Sequence, residues 1–366
     1  MNQTSPLLSF PGPDFEPLCT ELEHMTGRLD DEESWPGWQF ERLASAGVLG
    51  WVIPRQYGGS EIAPHELTLG YERLASACLT TSFVLTQRNG ACQRIASCDN
   101  EQLKAELLPG LCAGETFATV GISHLTTSRQ HLHRPAVEVE FSGSKLTFRG
   151  SIPWVTGAKH ANYIVTGGRC DDGLQVLAVI PADLPRVNMQ EPPALLALNS
   201  SQTGSVELDG VELDERYLIA GPVERVMTRG KGGGTGSLTT SALAVGTAAG
   251  ALRQLKQEAE TRPDLVEIYE SIHEERGRLS ADIHELSRAN STDEAPAHTA
   301  ESVRQRANSL VLRATQAYLT ACKGAGFVKG HPAERLVREA IFFLVWSCPQ
   351  PVLTAALRDF ACLIES

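Results

Sequence analysis

Trp154 and Thr156 stand two residues apart in the segment Gly150-Ser151-Ile152-Pro153-Trp154-Val155-Thr156. On an extended backbone, residues i and i+2 share a face, so an indole ring and a hydroxyl project together. Such a pair can stack on a planar isoalloxazine while the hydroxyl reaches its N5. The same spacing also serves ordinary strand packing, so other segments must decide between the two. Upstream, His124, His131 and His133 can each act as acid or base near neutral pH. No carboxylate partner stands in their local pattern, and turn histidines without catalytic duty are the simpler reading.

The bulk composition narrows the chemistry. At 366 residues the chain is long enough for two or three packed units. Its net charge of −12 argues against a polyanion-binding surface, so no nucleic-acid partner is expected. No apolar run reaches the roughly 20 residues of a membrane span, and the first residues lack the pattern of a signal peptide. The expectation is a cytoplasmic protein with no membrane partner. Nine scattered cysteines, with no C-x-x-C pair, read as reduced buried thiols. Neither they nor the ten histidines cluster at metal-ligand spacing, so no metal is expected.

The elements that must position Trp154 and Thr156 follow from periodicity. Residues 1–115 read as a helical domain, with helices predicted over 38–49 and 64–77, and from an Asn100 N-cap to Pro109. Residues 116–225 alternate with period two, at 136–141, 145–148, 163–166, 176–180 and 204–208. Ser142-Gly143-Ser144 and Asp171-Asp172-Gly173 punctuate them as hairpin loops, which predicts an antiparallel β domain. Residues 226–366 return to helix: one rich in small residues over 241–251, one ending near Leu286, one over 301–323 and a last from Pro332. The run from Gly230 to Ser237 fails the phosphate-loop pattern, since Lys231 is followed by Gly232, and it reads as a hinge or helix-leading loop. The fold class is therefore α+β.

Several segments, in order, resemble the acyl-CoA dehydrogenase family. Leu43 to Gly59 is similar to its "G-L-L-G … P-E-x-Y-G-G" stretch, Tyr71 to Ala75 to "E-E-L-A", and Leu108 to Glu115 to "L-P-x-L-A-x-G-E". Gly150 followed by Trp154-Val155-Thr156 resembles "N-G-x-K-x-W-I-T", with Ile152 in place of the Lys. Ser201 to Val211, Gly324 to Phe327 and Pro332 to Ala340 resemble "S-x-T-x-x-L-x-F-x-x-V", "G-G-x-G" and "P-x-E-R-x-x-R-D-A". The resemblance implies an acyl-CoA dehydrogenase-like architecture: an N-terminal helical domain, a middle antiparallel β domain facing the flavin and a C-terminal helical bundle. It also implies FAD as cofactor, with FMN or no flavin as the alternatives. An acyl thioester of fatty acid metabolism is the implied substrate, and a homodimer or homotetramer the implied assembly. Carried over by position, Trp154 packs on the flavin and Thr156 contacts N5. Ser123, Thr126 and Ser128 stand in the loop that replaces the family's "T-E-P-x-x-G-S-D" and can hydrogen-bond the flavin.

The departures fall where the reaction would occur. Ser347, in Trp346-Ser347-Cys348-Pro349, occupies the place of the glutamate base in the family's "Y-E-G-T". The alternative position for that glutamate carries Gly236 and Ser237. A serine hydroxyl of ordinary pKa does not take the α-proton of a thioester. Glu339 and Asp359 are the acids that could substitute, although an ion pair and a solvated helix face explain them equally well. Cys348 has no histidine or cation expected beside it and reads as a packing residue. Of the pyrophosphate-gripping helix only Arg262 is matched, and Thr320 stands near an expected glutamine. Three functions fit: an FAD-dependent oxidoreductase acting on the CH–CH group of an acyl thioester, a flavin-dependent monooxygenase or oxidase on the same fold, or a non-catalytic homologue serving as a binding or assembly scaffold.

Overall fold

The computed structural model describes residues 12–126, 135–230, 238–289 and 298–363. Five helices come first: α1 (Phe15–Glu32), α2 (Gly37–Ser45), α3 (Pro64–Ala77), α4 (Leu79–Ala96) and α5 (Glu101–Ala113). The α3 bounds agree with the reading from periodicity, because its apolar positions form a stripe and Glu66 accepts from the Ala63 N–H to close its N-terminus. Asn100 caps α5 through Leu103 N as expected, at 2.9 Å. The helix nevertheless continues past Pro109 to Ala113, so the predicted stop at the proline was too early. α4 was not foreseen: it is buried on nearly every side, with Thr80, Thr81, Ser82, Arg88 and Asn89 among its buried residues, and so shows no amphipathic stripe.

An eight-stranded sheet follows: β1 (Ala118–Gly121), β2 (Val137–Ser142), β3 (Lys145–Val155), β4 (Tyr163–Arg169), β5 (Gln175–Pro181), β6 (Val187–Met189), β7 (Gly204–Asp214) and β8 (Leu218–Val223). The short α6 (Ser123–Thr126) lies between β1 and β2. Strand order is β6-β7-β3-β2-β4-β5-β8, and the β2–β3 and β4–β5 hairpins turn where the glycine-bearing loops predicted. Pairing is mainly antiparallel, but β1 joins β4 in parallel and β2 meets β4 in parallel at one residue pair. The expected antiparallel domain thus carries two parallel pairings within it. The α6 and β2–β3 segments between β1 and β4 supply the crossover that parallel pairing needs.

The C-terminal helices are α7 (Leu238–Thr261), α8 (Val266–Ala289), α9 (Ala300–Cys322), α10 (Pro332–Ile341) and α11 (Gln350–Phe360). α7 lies backbone-close on α3: a Cβ at Gly246 would come 2.2 Å from Glu72 O, which explains the small residues of this stretch. The helix predicted from Pro332 breaks after Ile341 into a tight turn, and α11 forms beyond it. Among the described residues no helix is long and apolar enough to cross a membrane.

Candidate active site

β3 does not run straight into Trp154. Its register against β7 slips between Ile152 and Val155, and Pro153 sits in that irregularity, where a missing N–H breaks no ladder bond. Ile152 and Val155 are both fully buried in the sheet core, whereas Trp154 is 47% exposed. The bulge therefore turns the indole out of the core and onto the wall of a cavity of about 590 Å³. Ile152 fills the core against Gly121, where a Cβ would come 2.7 Å from its Cγ2, so the position matching the family's lysine is a packing residue here.

Thr156 follows on the same wall, nearly buried, and its Oγ1 lies 3.1 Å from Thr203 Oγ1. Thr203 in turn lies 2.8 Å from Ser201 Oγ, so the three hydroxyls form a chain, and all three residues line the cavity. Gly157 closes the turn at φ +65°, donating to the carbonyls of Ser201 and Gln202. Trp35 packs so closely that a Cβ on Gly157 would lie 2.5 Å from its ring. Both the positive φ and that contact exclude a side chain.

The loop after β1 brings Ser123 and Thr126 to the cavity. Ser123 Oγ is buried and has no partner among the described residues, whereas Thr126 Oγ1 donates back to its own turn, 3.2 Å from Ser123 O. Ser128, His131 and His133 lie outside the described residues. His124 is buried with Nε2 2.9 Å from Gly167 O, which ties α6 to β4 and accounts for the residue structurally.

From the helical side come Phe83, Gln87, Phe342, Trp346 and Ser347. Ser347 sits at φ +46°, in a turn fastened from behind by Arg304. Arg304 is 1% exposed and donates through Nη2 to Phe343 O (3.1 Å) and Trp346 O (3.0 Å). Its Nε and Nη1 find no partner among the described residues, and burial pushes its pKa down to about 10. No sequence motif announced Arg304. It also corrects the expectation that no cation neighbours Cys348: Arg304 pulls that thiol's pKa down, but burial outweighs it and the thiol titrates above its ordinary range. Packing is the role that fits Cys348.

No carboxylate lines the cavity among the described residues; its charged member is Arg338, held by Asp30 (2.6 Å) and Glu334 (2.7 Å). Of the two acids considered as substitutes, Asp359 is exposed on α11, and Glu339 is 3% exposed, 3.7 Å from Arg335, and absent from the cavity wall. Burial raises the Glu339 pKa from 4.5 to about 7, opposed by Arg335 and Arg338 and reinforced by Asp30 and Glu334. An unfolded chain ionises this group first, so stability falls as pH rises from about 4.5 to about 7, by roughly 3 kcal/mol in total. Glu339→Gln is expected to flatten that slope, measured as denaturation midpoints at pH 5 and pH 8; parallel slopes for both proteins would refute the assignment. Arg262, the matched pyrophosphate residue, is occupied by Ala321 O (2.6 Å) and Asp264 (3.3 Å), while Thr320 is exposed and Gly236 and Ser237 lie outside the described residues. Among the described residues no group of three or more His, Cys, Asp or Glu is placed to hold a metal ion.

A half-exposed indole, a hydroxyl chain and a hydroxyl unpartnered among the described residues, set on an apolar cavity between a sheet and a helical bundle, make the usual form of a small-molecule site: apolar walls with a few convergent polar groups. The family model for the N-terminal domain of acyl-CoA dehydrogenase matches residues 17–115. The chain is 22% identical over 340 residues to a probable acyl-CoA dehydrogenase of Bacillus subtilis, covering 88% of each. It superposes on butyryl-CoA dehydrogenase from Megasphaera elsdenii with a TM-score of 0.81 and 14% identity, over 100% of both chains. A glutaryl-CoA dehydrogenase from Mycobacterium smegmatis, solved in complex with FADH2, gives 0.79 at 16% identity, over 99% of this chain and 97% of that one. Residues 17–115 thus match the N-terminal domain of the acyl-CoA dehydrogenase family, and the whole chain shares the fold of these solved structures.

Proposed function

We propose that this chain is a flavin-dependent oxidoreductase of the acyl-CoA dehydrogenase type, with FAD as cofactor and an acyl thioester as substrate. The observation that carries the reading is Trp154, a large apolar ring expelled from a buried strand onto a cavity wall beside the Thr156–Thr203–Ser201 hydroxyl chain. Ser123 Oγ, unpartnered among the described residues, fits the same ligand, since a buried hydroxyl without a hydrogen bond costs about 1–3 kcal/mol until something meets it. In this reading Trp154 would stack on the isoalloxazine, Thr156 and Ser123 would hydrogen-bond its edge, and Thr126 would contribute from α6, while Ser128 lies outside the described residues. Bound flavin supplies a hydride acceptor. Thr203 and Ser201 hold the Thr156 hydroxyl in one orientation, and the apolar walls keep water from the reacting carbon.

The described wall offers no base for an α-proton, which favours a second reading. An oxidase or monooxygenase on the same fold, in which reduced flavin meets oxygen, has no need of that base. The visible spectrum of the purified protein separates the cases. Flavin that bleaches anaerobically with an acyl-CoA supports dehydrogenation; flavin reduced only by an external reductant supports the second reading; a colourless protein that ignores added FAD and FMN defeats both and leaves a binding scaffold. If the missing base is what limits dehydrogenation, Ser347→Glu is expected to speed anaerobic bleaching by about 100-fold or more. Bleaching rates that match the parent protein would mean that Ser347 does not face the substrate's α-carbon.

A further inference from the structure

Aromatic residues make up 6% of the chain, yet Tyr71, Phe83, Trp154, Phe342 and Trp346 all line one cavity. Tyr71 is committed elsewhere, its hydroxyl accepting from Asn89 Nδ2 at 2.9 Å. Phe83, Phe342 and Trp346 form a mutually packed wall. Phe83 meets Phe342 edge-on at 4.9 Å and Trp346 edge-on at 5.0 Å, and the Phe342 and Trp346 rings stack at 5.1 Å, 12° from parallel. Phe83 is buried, but Phe342 and Trp346 are only partly covered, so ring surface is left toward the cavity.

The electrical character of the wall is as specific as its shape. Arg338, the charged lining residue among those described, is already paired with Asp30 and Glu334 and has no charge left to offer a ligand. Among the described residues the remaining polar groups of the lining are neutral amides and hydroxyls: Gln87, which donates to Thr86 Oγ1 at 3.1 Å, Gln93, Thr239 and Thr240 among them. A charged acyl group would lose its hydration there without compensation. A saturated chain would gain only burial, whereas a ring would add edge and face contacts with three aromatic neighbours.

We propose that the acyl portion of the substrate is an uncharged aromatic group that packs on the Phe83–Phe342–Trp346 wall, with Trp346 and Phe342 as the specificity-determining residues. The inference rests on the reading of this cavity as the thioester site. It is tested on the full chain with two neutral probes, the N-acetylcysteamine thioesters of phenylacetate and hexanoate, titrated by calorimetry. The aromatic probe is expected to bind about tenfold more tightly, and the ratio is expected to fall toward one in both Trp346→Leu and Phe342→Leu. Equal or tighter binding of the hexanoate probe, binding of neither probe, or a ratio unchanged in both variants overturns the proposal. Should one variant fail to fold, the other variant and the wild-type ratio decide. Visible absorption of the same samples separates this proposal from the cofactor reading. A colourless protein that prefers the aromatic probe defeats only the flavin assignment, and a yellow protein without preference defeats only the aromatic one.

Discussion

Trp154→Ala is expected to weaken flavin binding by about 30- to 100-fold while leaving the fold nearly as stable as before. The two halves of that expectation come from one fact: the ring is 47% exposed and lies on a bulge, so it contributes little to the core. What truncation removes is ring area offered to a ligand, and anchoring aromatic residues of this kind carry about 2–3 kcal/mol of binding. Trp154→Phe keeps a stacking face and should retain most of the affinity. The measurement is flavin retention on gel filtration, followed by titration of the stripped protein, with thermal melts as the control. If the alanine variant retained flavin at wild-type stoichiometry, Trp154 would be a surface packing residue and the cofactor reading would lose its main support.

The second large effect concerns stability. Arg88 is 1% exposed and its guanidinium donates to Leu49 O (2.7 Å), to Asn89 Oδ1 (2.7 Å) and to Leu111 O. It thereby ties the segment after α2 and the end of α5 to the centre of α4, and Asn89 passes the link on to the Tyr71 hydroxyl at the cavity wall. Arg88→Ala removes the donor to buried Leu49 O and Asn89 Oδ1, leaves Leu111 O with the 3.3 Å bond from the Gly114 N–H, and opens a cavity, while relieving the cost of a buried cation. The net is expected to be about 3–5 kcal/mol of destabilisation, seen as a lower denaturant midpoint with an unchanged slope. Arg88→Lys should recover little of it, because one ammonium cannot reproduce three donors in a fixed fork. A loss under about 1 kcal/mol for the alanine variant would show that the carbonyls find other donors.

These two residues mark how differently the sequence exposes its contents. The pairing of Trp154 with Thr156 on one wall was legible because it is local: a ring and a hydroxyl two apart on an extended run, within ordered segments of family-like pattern. Arg88 was not, because α4 is buried on nearly every side. A helix without an exposed face shows no periodic contrast between apolar and polar residues, and its buried arginine resembles any other charge in a string of letters. Arg304 was hidden for a related reason. Its partners are carbonyls of residues 343 and 346, which carry no side-chain signature.

Local pattern therefore determined the order of helix, sheet and helix, the two hairpins, α3 and the position of the Trp154–Thr156 pair, all of which depend on neighbours within a few residues. Tertiary structure alone decided that β1 enters in parallel, that α10 breaks to hold Ser347 in a turn, that Glu339 is buried away from the cavity, and that Ser123 Oγ finds no partner among the described residues. It also gathered Phe83, Trp154, Thr203, Phe342 and Trp346 around one space. Such convergence depends on contacts between segments far apart along the chain, and no window of sequence contains them.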